Sequence, residues 1–378
     1  MKLLFKLLIG IILGIILGLI GPEFVIRILI TIKVLFGSFI GFIIPFIILF
    51  FIASGVAGLG KSSGRLVGMT VGTAYISTIV AGILSLVIAF TVIPFLSTET
   101  SEVVEGATLE PFLTIEIAPL MGVVTALVTA FVFGIGIAKT EGEWLKKVFD
   151  EGKSIIELVI AKIIIPFLPF YIAGIFAELA YSGEVFGTLK VFGVVLLLAI
   201  ATHWLWLFIQ YMVAGIVAKK NPFALLKNML PAYFTAIGTM SSAATIPVTL
   251  KSVKRNNVKE DLANFGVPLC ATIHLSGSVI TIVMCAIAVM ILSPELSQPS
   301  FITMLPVIFM LGLIMVAAPG VPGGAIMAAL GVLTSMLGFT EAAIGLMIAL
   351  YMAQDSFGTA TNVTGDGAIN VLIDRWAK

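Results

Sequence analysis

The sequence predicts an all-α polytopic membrane protein with eight transmembrane helices and two re-entrant hairpins inserted in opposite orientations. Three observations lead there. Of the 378 residues, 60% are apolar and 11% charged, with a mean hydropathy of +1.20, whereas soluble domains carry about 25% charged residues. Apolar runs that approach or exceed the ~20 residues of a bilayer span recur along the whole chain, among them 66–96, 191–217 and 279–292 with its flanks. Two further runs in the second half are each interrupted by Gly, Pro and small residues. No stretch is polar enough for a soluble domain, and a net charge of +1 offers no basic surface to nucleic acid.

The sparse charges order the spans, because Lys and Arg concentrate at cytoplasmic helix ends. Lys2 and Lys6 precede an apolar run without a small-x-small cleavage site, so 3–20 reads as helix one rather than a signal peptide. Helix two (35–58) returns to Lys61 and Arg65, which leaves Arg27 and Lys33 outside, against the rule. Helix three (66–96) leads to Glu99, Glu102, Glu105 and Glu110. Helix four (113–138) comes back to Lys139, Lys146, Lys147 and Lys153, helix five (154–181) goes out, and helix six (187–218) returns to Lys219, Lys220 and Lys227.

The next segment, 229–250, has Lys227 on one flank and Lys251, Lys254 and Arg255 on the other. Both flanks are basic, so the segment enters and leaves on one face, turning at the small, hydroxyl-rich Gly238–Pro247. Helix seven (261–292) crosses outward. A second interrupted segment, 301–337, carries Ala-Pro-Gly-Val-Pro-Gly-Gly at 318–324 and enters from the opposite face, and helix eight (339–374) ends inside at Asp374, Arg375 and Lys378. The expectation is a multi-pass protein of the cell membrane with both termini cytoplasmic. Corresponding Gly/Pro-interrupted segments in two halves point to a transporter's binding site.

Polar side chains within a membrane mark function. Helix eight holds Asp355, Thr359, Asn362 and Asp366, whose spacings of four, three and four put them on one helical face. Two carboxylates, an amide and a hydroxyl suit an ammonium group, a carboxylate and a cation, and Asp366 offers the oxygen that a hard cation prefers. Helix seven contributes Thr272 to Ser278, where alternating polar residues around Gly277 suit an unwound turn facing a site. His274 there is either a hydrogen-bond partner or, beside a carboxylate, a proton carrier. His203 reads as structural or interfacial. Cys270 and Cys285 sit in apolar sequence with no metal-ligand spacing.

These residues resemble the dicarboxylate/amino acid:cation symporters, the family of glutamate, neutral amino acid and serine/threonine transporters. The resemblance runs nearly end to end and rests on Ser241–Thr249 (SSAATIPVT), Ala271–Ser278, Gly320–Gly324 (GVPGG) and the Asp355–Asp366 stretch. It implies an elevator-type transporter assembled as a homotrimer. Residues 1–65 and 98–183 would form the scaffold. Helix three (66–97) and residues 184–378, with the hairpins at 221–251 and 300–337, would form the moving transport domain. The second hairpin would be the extracellular gate. The resemblance further implies that Asp355 pairs with a substrate ammonium group and Asn362 binds its carboxylate. Thr359, Ser241, Ser242, Gly358, Val321 and Gly323 would line the same pocket. Asp366, with Cys270 and Asn362, would form a sodium site, to which His274 and Ser276 are added as coupling residues for sodium or a proton.

The departures narrow the substrate. Members for acidic substrates carry an arginine just before the threonine of helix eight, where this chain has Gly358. The helix-seven signature Asn-Met-Asp-Gly-Thr reads His274-Leu275-Ser276-Gly277-Ser278, which removes three sodium contacts, and Ala317, Ala318 and Pro319 replace polar gate residues. The expectation is cation-coupled uptake of a small neutral amino acid such as serine, threonine or alanine, without an organic cofactor. A proton-coupled carrier of a small organic acid stays open as the alternative, as does the choice between sodium and proton. An ion channel is the reading from another class, but the sequence carries no charged ring or carbonyl-filter motif. An aspartyl protease is excluded, because Asp355 and Asp366 lie about 16 Å apart along one helix.

Overall fold

The computed structural model describes residues 2–59, 65–93 and 109–377. Lys61, Glu99, Glu102, Glu105 and Lys378, used above to orient the spans, lie outside the described residues. Helix one is α1 (Lys2–Ile20), helix two α2 (Glu23–Leu59) and helix three α3 (Arg65–Val92). Helix four is α4 (Val123–Thr140). Helix five is a compound helix: α5 (Glu143–Val159) and α6 (Ile165–Tyr181) are joined by a π-helical turn at Ile160–Ile164, just before Pro166 and Pro169. Helix six is α7 (Val185–Ala218), and α8 (Pro222–Thr239) and α9 (Ser242–Arg255) form the first interrupted segment. Helix seven is split into α10 (Glu260–Ile273) and α11 (Ser276–Leu292). The second interrupted segment is α12 (Phe301–Met315) and α13 (Gly324–Leu337), and helix eight is α14 (Glu341–Trp376).

Six helical stretches among the described residues are long and apolar enough to cross a membrane: 23–58, 65–92, 123–140, 143–181, 185–218 and 260–292. The chain is therefore all-helical in the described residues, with several membrane-spanning helices. α14 misses that set although its 36 residues reach about 54 Å at ~1.5 Å per residue, because the polar face described above dilutes its apolar character.

Three boundaries differ from the sequence expectation. α2 begins twelve residues earlier than 35 and takes in both misplaced cations. There Lys33 pairs with Glu178 of α6, and Arg27 donates from Nε to the Glu110 carbonyl at 2.8 Å and lies over the Phe112 ring. Their charges are thus absorbed by local partners. Residues 113–122, expected to open helix four, are not helical. This segment contains Pro119 and follows Pro111, and its N–H groups go to side chains of α2: Phe112 to Thr31 Oγ1 (2.9 Å) and Ile117 to Ser38 Oγ (3.0 Å). α5 extends helix five backwards from 154 as an amphipathic stretch whose Phe149, Gly152 and Ile156 are buried.

The helices pack in two groups. α1, α2, α4, α5 and α6 bear chiefly on one another. α1 and α6 meet through Gly10, Gly14 and Gly18, where added Cβ atoms would run into the backbone of Pro169, Ala173 and Ala177. Small residues at four-residue spacing allow this close approach. The second group gathers α3, α7–α10 and α12 around α11 and α14. α11 is buried at every residue from Ser276 to Met290, as expected of a helix apolar all round. α13 bridges the groups by also contacting α2 and α4. Two cavities lie along the seam, at opposite ends of α2. One, about 620 Å³, is lined by Lys33, Tyr171, Glu178, Glu295 and Glu341. The other, about 570 Å³, is lined by Ser54, Gly58, Lys146, Lys153, Thr272 and Gly320.

Candidate substrate and coupling site

The site forms where three chain interruptions converge on α14. The first is the α8–α9 turn. Its outer ends are tied together: Asn228 Nδ2 donates to Asn256 Oδ1 (2.8 Å), and Lys220 Nζ donates to the carbonyls of Asn256 and Asn257 (2.7 and 3.1 Å). The pair thus leaves and returns at one end. Met240, at φ 53°, reverses the chain, and Ser241 then caps α9 by accepting from Ala244 N at 3.2 Å. The second is the α12–α13 turn, where Gly323 at φ 71° starts α13. Its left-handed backbone favours glycine, and a Cβ there would lie 3.0 Å from Met352 Sδ. The two tips touch: Ser241 Oγ donates to the Gly320 carbonyl at 2.7 Å.

Asp355 fastens the second tip to α14. Its Oδ2 accepts from Gly323 N at 2.8 Å, and Oδ1 accepts from Tyr351 Oη at 3.0 Å and from Thr359 Oγ1 at 3.5 Å. Asp355, Thr359, Ser241 and Ser242 are all buried, whereas Val321 is exposed at the rim of the 570 Å³ cavity. Gly358 faces helix rather than cavity: a Cβ there would lie 3.3 Å from Thr281 Oγ1 and 3.5 Å from the Gly277 carbonyl oxygen. A long side chain at this position would push α11 and α14 apart.

The third interruption is the break between α10 and α11, which α14 repairs. Asn362 Oδ1 accepts from the backbone N–H of Gly277 (2.7 Å) and Ser278 (3.2 Å), while its Nδ2 donates to Ser278 Oγ (2.9 Å). These N–H groups belong to the first turn of α11 and have no helical partner. On the other side, His203 of α7 reaches the Gly277 carbonyl from Nε2 at 3.0 Å. His203 thus has a structural role at the break, in line with its sequence reading.

One turn further along α14, Asp366 Oδ1 meets His274 Nδ1 at 2.9 Å, both residues being fully buried. His274 Nε2 lies 2.9 Å from Ser77 Oγ of α3, and Gln210 Nε2 of α7 donates to the same Ser77 oxygen at 2.8 Å. The Cys270 carbonyl accepts His274 N at 2.9 Å. Ser276 Oγ and Asp366 Oδ2 are buried without partners. The structure therefore brings Asp366, His274, Cys270 and Asn362 into one neighbourhood. Sequence reasoning missed Ser77, Gln210 and Tyr351, although each is a polar residue inside an apolar span, the signal that singled out the others.

The family model described as the sodium:dicarboxylate symporter family matches residues 3–376. The chain belongs to this family. Excitatory amino acid transporter 1 of Homo sapiens is 29% identical over 254 residues, 66% of this chain and 46% of the relative. Its counterpart in Ambystoma tigrinum is 31% identical over 276 residues, 70% of this chain and 50% of the relative. Neutral amino acid transporter B(0) of Homo sapiens is 29% identical over 268 residues, 68% and 48% respectively. The chain matches about half the length of these relatives. The relatives it matches are named as transporters, and the matching family model is that of a symporter family.

The family implies sodium, so the donor set around Asp366 matters. A hard cation is held by converging oxygens. Here one carboxylate oxygen faces an imidazole nitrogen, and the Asn362 amide oxygen is spent on two N–H groups. These residues, as arranged, do not fit sodium at Asp366 Oδ1.

Proposed function

We propose that the protein is a secondary active transporter that couples uptake of a small neutral amino acid to a cation gradient. The observation that carries the substrate class is Gly358. It stands where the acidic-substrate members of the family carry an arginine, and its own surroundings, the Gly277 backbone and Thr281 Oγ1, offer no cation in its place. Asp355 and Asn362 remain on one face of α14 to receive an ammonium group and a carboxylate, between the tips that carry Ser241, Ser242, Val321 and Gly323. The similarity to a transporter named for neutral amino acids supports the same reading.

On this reading α1, α2, α4, α5 and α6 are the fixed scaffold of a homotrimer. The second helix group, with both interrupted segments as re-entrant hairpins, is the elevator. The division into two packing groups with a seam of cavities supports it. With both termini cytoplasmic, the 570 Å³ cavity beside Lys146 and Lys153 opens inward, and the tips stand at its wall. Coupling centres on Asp366 and His274, and the sodium and proton gradients are tested separately.

A second reading, a proton-coupled carrier of a small organic acid, is favoured by one observation. Asp355 already accepts from Gly323 N and Tyr351 Oη, so a substrate need not bring an ammonium group to satisfy it.

The test is uptake of labelled serine into liposomes under a sodium gradient and then under a proton gradient alone, with alanine, aspartate, succinate and lactate as competitors. Competition by alanine and not by aspartate supports the neutral amino acid assignment. Competition only by acids lacking an amino group would replace it with the second reading.

A further inference from the structure

We infer that the His274 imidazole occupies the position in which the family pattern places a metal cation against Asp366, so that the carboxylate takes its partner from the chain itself and sodium does not bind there. The inference deepens the assignment of a coupling site at Asp366 and rests on that assignment for its functional meaning; its geometry is independent of which solute is carried.

The ring is held on every side. Nδ1 lies 2.9 Å from Asp366 Oδ1, and Nε2 lies 2.9 Å from Ser77 Oγ. Gln210 Nε2, which can only donate, lies 2.8 Å from Ser77 Oγ and 3.4 Å from His274 Nε2, so Nε2 is the accepting nitrogen. That assignment makes Nδ1 the protonated nitrogen and aims its hydrogen at the carboxylate. A donor hydrogen on the carboxylate excludes a cation from the same lone pair, because both seek the same negative charge.

Two further features build the pocket around the ring. A Cβ at Gly365 would lie 2.8 Å from His274 Cε1 and 2.8 Å from Gln210 Oε1, so glycine at this point of α14 gives the imidazole its space. The Cys270 carbonyl accepts the His274 backbone N–H at 2.9 Å, and the Asn362 amide is committed to the N-terminus of α11. The sequence change that accompanies this is the replacement of the family's Asn and Asp in the helix-seven signature by His274 and Ser276. Asp366 Oδ2, buried and without a partner, is the one carboxylate oxygen from which sodium binding would contradict the inference.

The chain has two histidines, which makes a direct measurement practical. The full-length protein, labelled with ¹⁵N-histidine and reconstituted in lipid nanodiscs, is compared in choline chloride and sodium chloride. The His274 signals are assigned by their loss in H274N. They are expected to stay fixed when sodium replaces choline. Thermal unfolding under the same two salts should show the same sodium response for the wild type and D366N, and a new sodium-dependent rise in Tm for H274N. A saturable movement of the His274 signals with sodium overturns the inference, as does a sodium-dependent Tm gain in the wild type that D366N loses. The NMR readout does not use D366N, so it stands if that variant fails to fold. Neither readout involves uptake, so a failed serine assay would remove the proposed function and leave this result intact.

Discussion

At the scale of single residues, Asn362 has the most to lose. It is the only side chain seen to accept the Gly277 and Ser278 N–H groups at the start of α11. Asn362→Ala would leave two buried donors unpaired, at about 1–3 kcal/mol each. The expected result is a clear fall in Tm together with loss of uptake, read by thermal unfolding and liposome flux. Asn362→Asp keeps the acceptor oxygens and should recover most of the stability while still transporting poorly. An unchanged Tm in Asn362→Ala would remove the capping role. This residue also shows what a sequence conveys. The four-three-four spacing from Asp355 to Asp366 was legible because a helix repeats, whereas its partners were not. Ser77 and Gln210 are isolated polar residues in apolar helices, and only the packing of α3, α7, α10 and α14 makes them a set. The mutual engagement of Asp355 with Gly323 was equally hidden, since 32 residues separate them.

At the scale of elements, the two interrupted segments meet at the Gly320 carbonyl, where Ala243 N lies at 3.4 Å and the shorter bond comes from Ser241 Oγ at 2.7 Å. Removing it in Ser241→Ala costs on the order of 1 kcal/mol and should part the tips more often. A cysteine placed at the buried Ala318 beside the second tip, in a chain lacking Cys270 and Cys285, should then react with a thiol reagent roughly 5-fold faster, the factor that corresponds to ~1 kcal/mol. An unchanged rate would mean that other contacts hold the tips. The elements themselves were largely legible. Basic flanks at 219–227 and 251–255 marked an out-and-back segment, and α8 and α9 do start and finish beside each other. Residues 113–122 were misread because Leu113, Ile115 and Ile117 look like the start of a span. The N–H groups of Phe112 and Ile117 go instead to side chains of α2, some eighty residues earlier, and no local pattern carries that information.

At the scale of the whole molecule, the two helix groups touch closely at Gly55 of α2 and Ala317 beside the α12–α13 turn, where a Cβ on Gly55 would lie 2.6 Å from that of Ala317. If the second group moves past the first, bulk added here must hinder transport more than it hinders folding. Gly55→Val is expected to cut uptake several-fold in liposome flux while thermal unfolding stays cooperative, and Ala317→Gly in the same chain should restore part of the flux. Normal flux in Gly55→Val would count against motion at this seam. The sequence alone did not reveal which faces of the two groups meet, because exposed and buried apolar faces read alike in a protein surrounded by lipid.

The bracket around His274 has a consequence for how such a chain can diverge. Ser77, Gln210 and Gly365 come from three different helices and His274 from the α10–α11 break, yet each is adjusted to the others' size and hydrogen-bonding needs. Replacing the histidine alone strands the Ser77 hydroxyl and the Asp366 carboxylate; enlarging the glycine alone evicts the ring. Drift at any one of these positions is therefore tied to drift at the other three, and related chains should inherit the quartet as a block or lack it altogether.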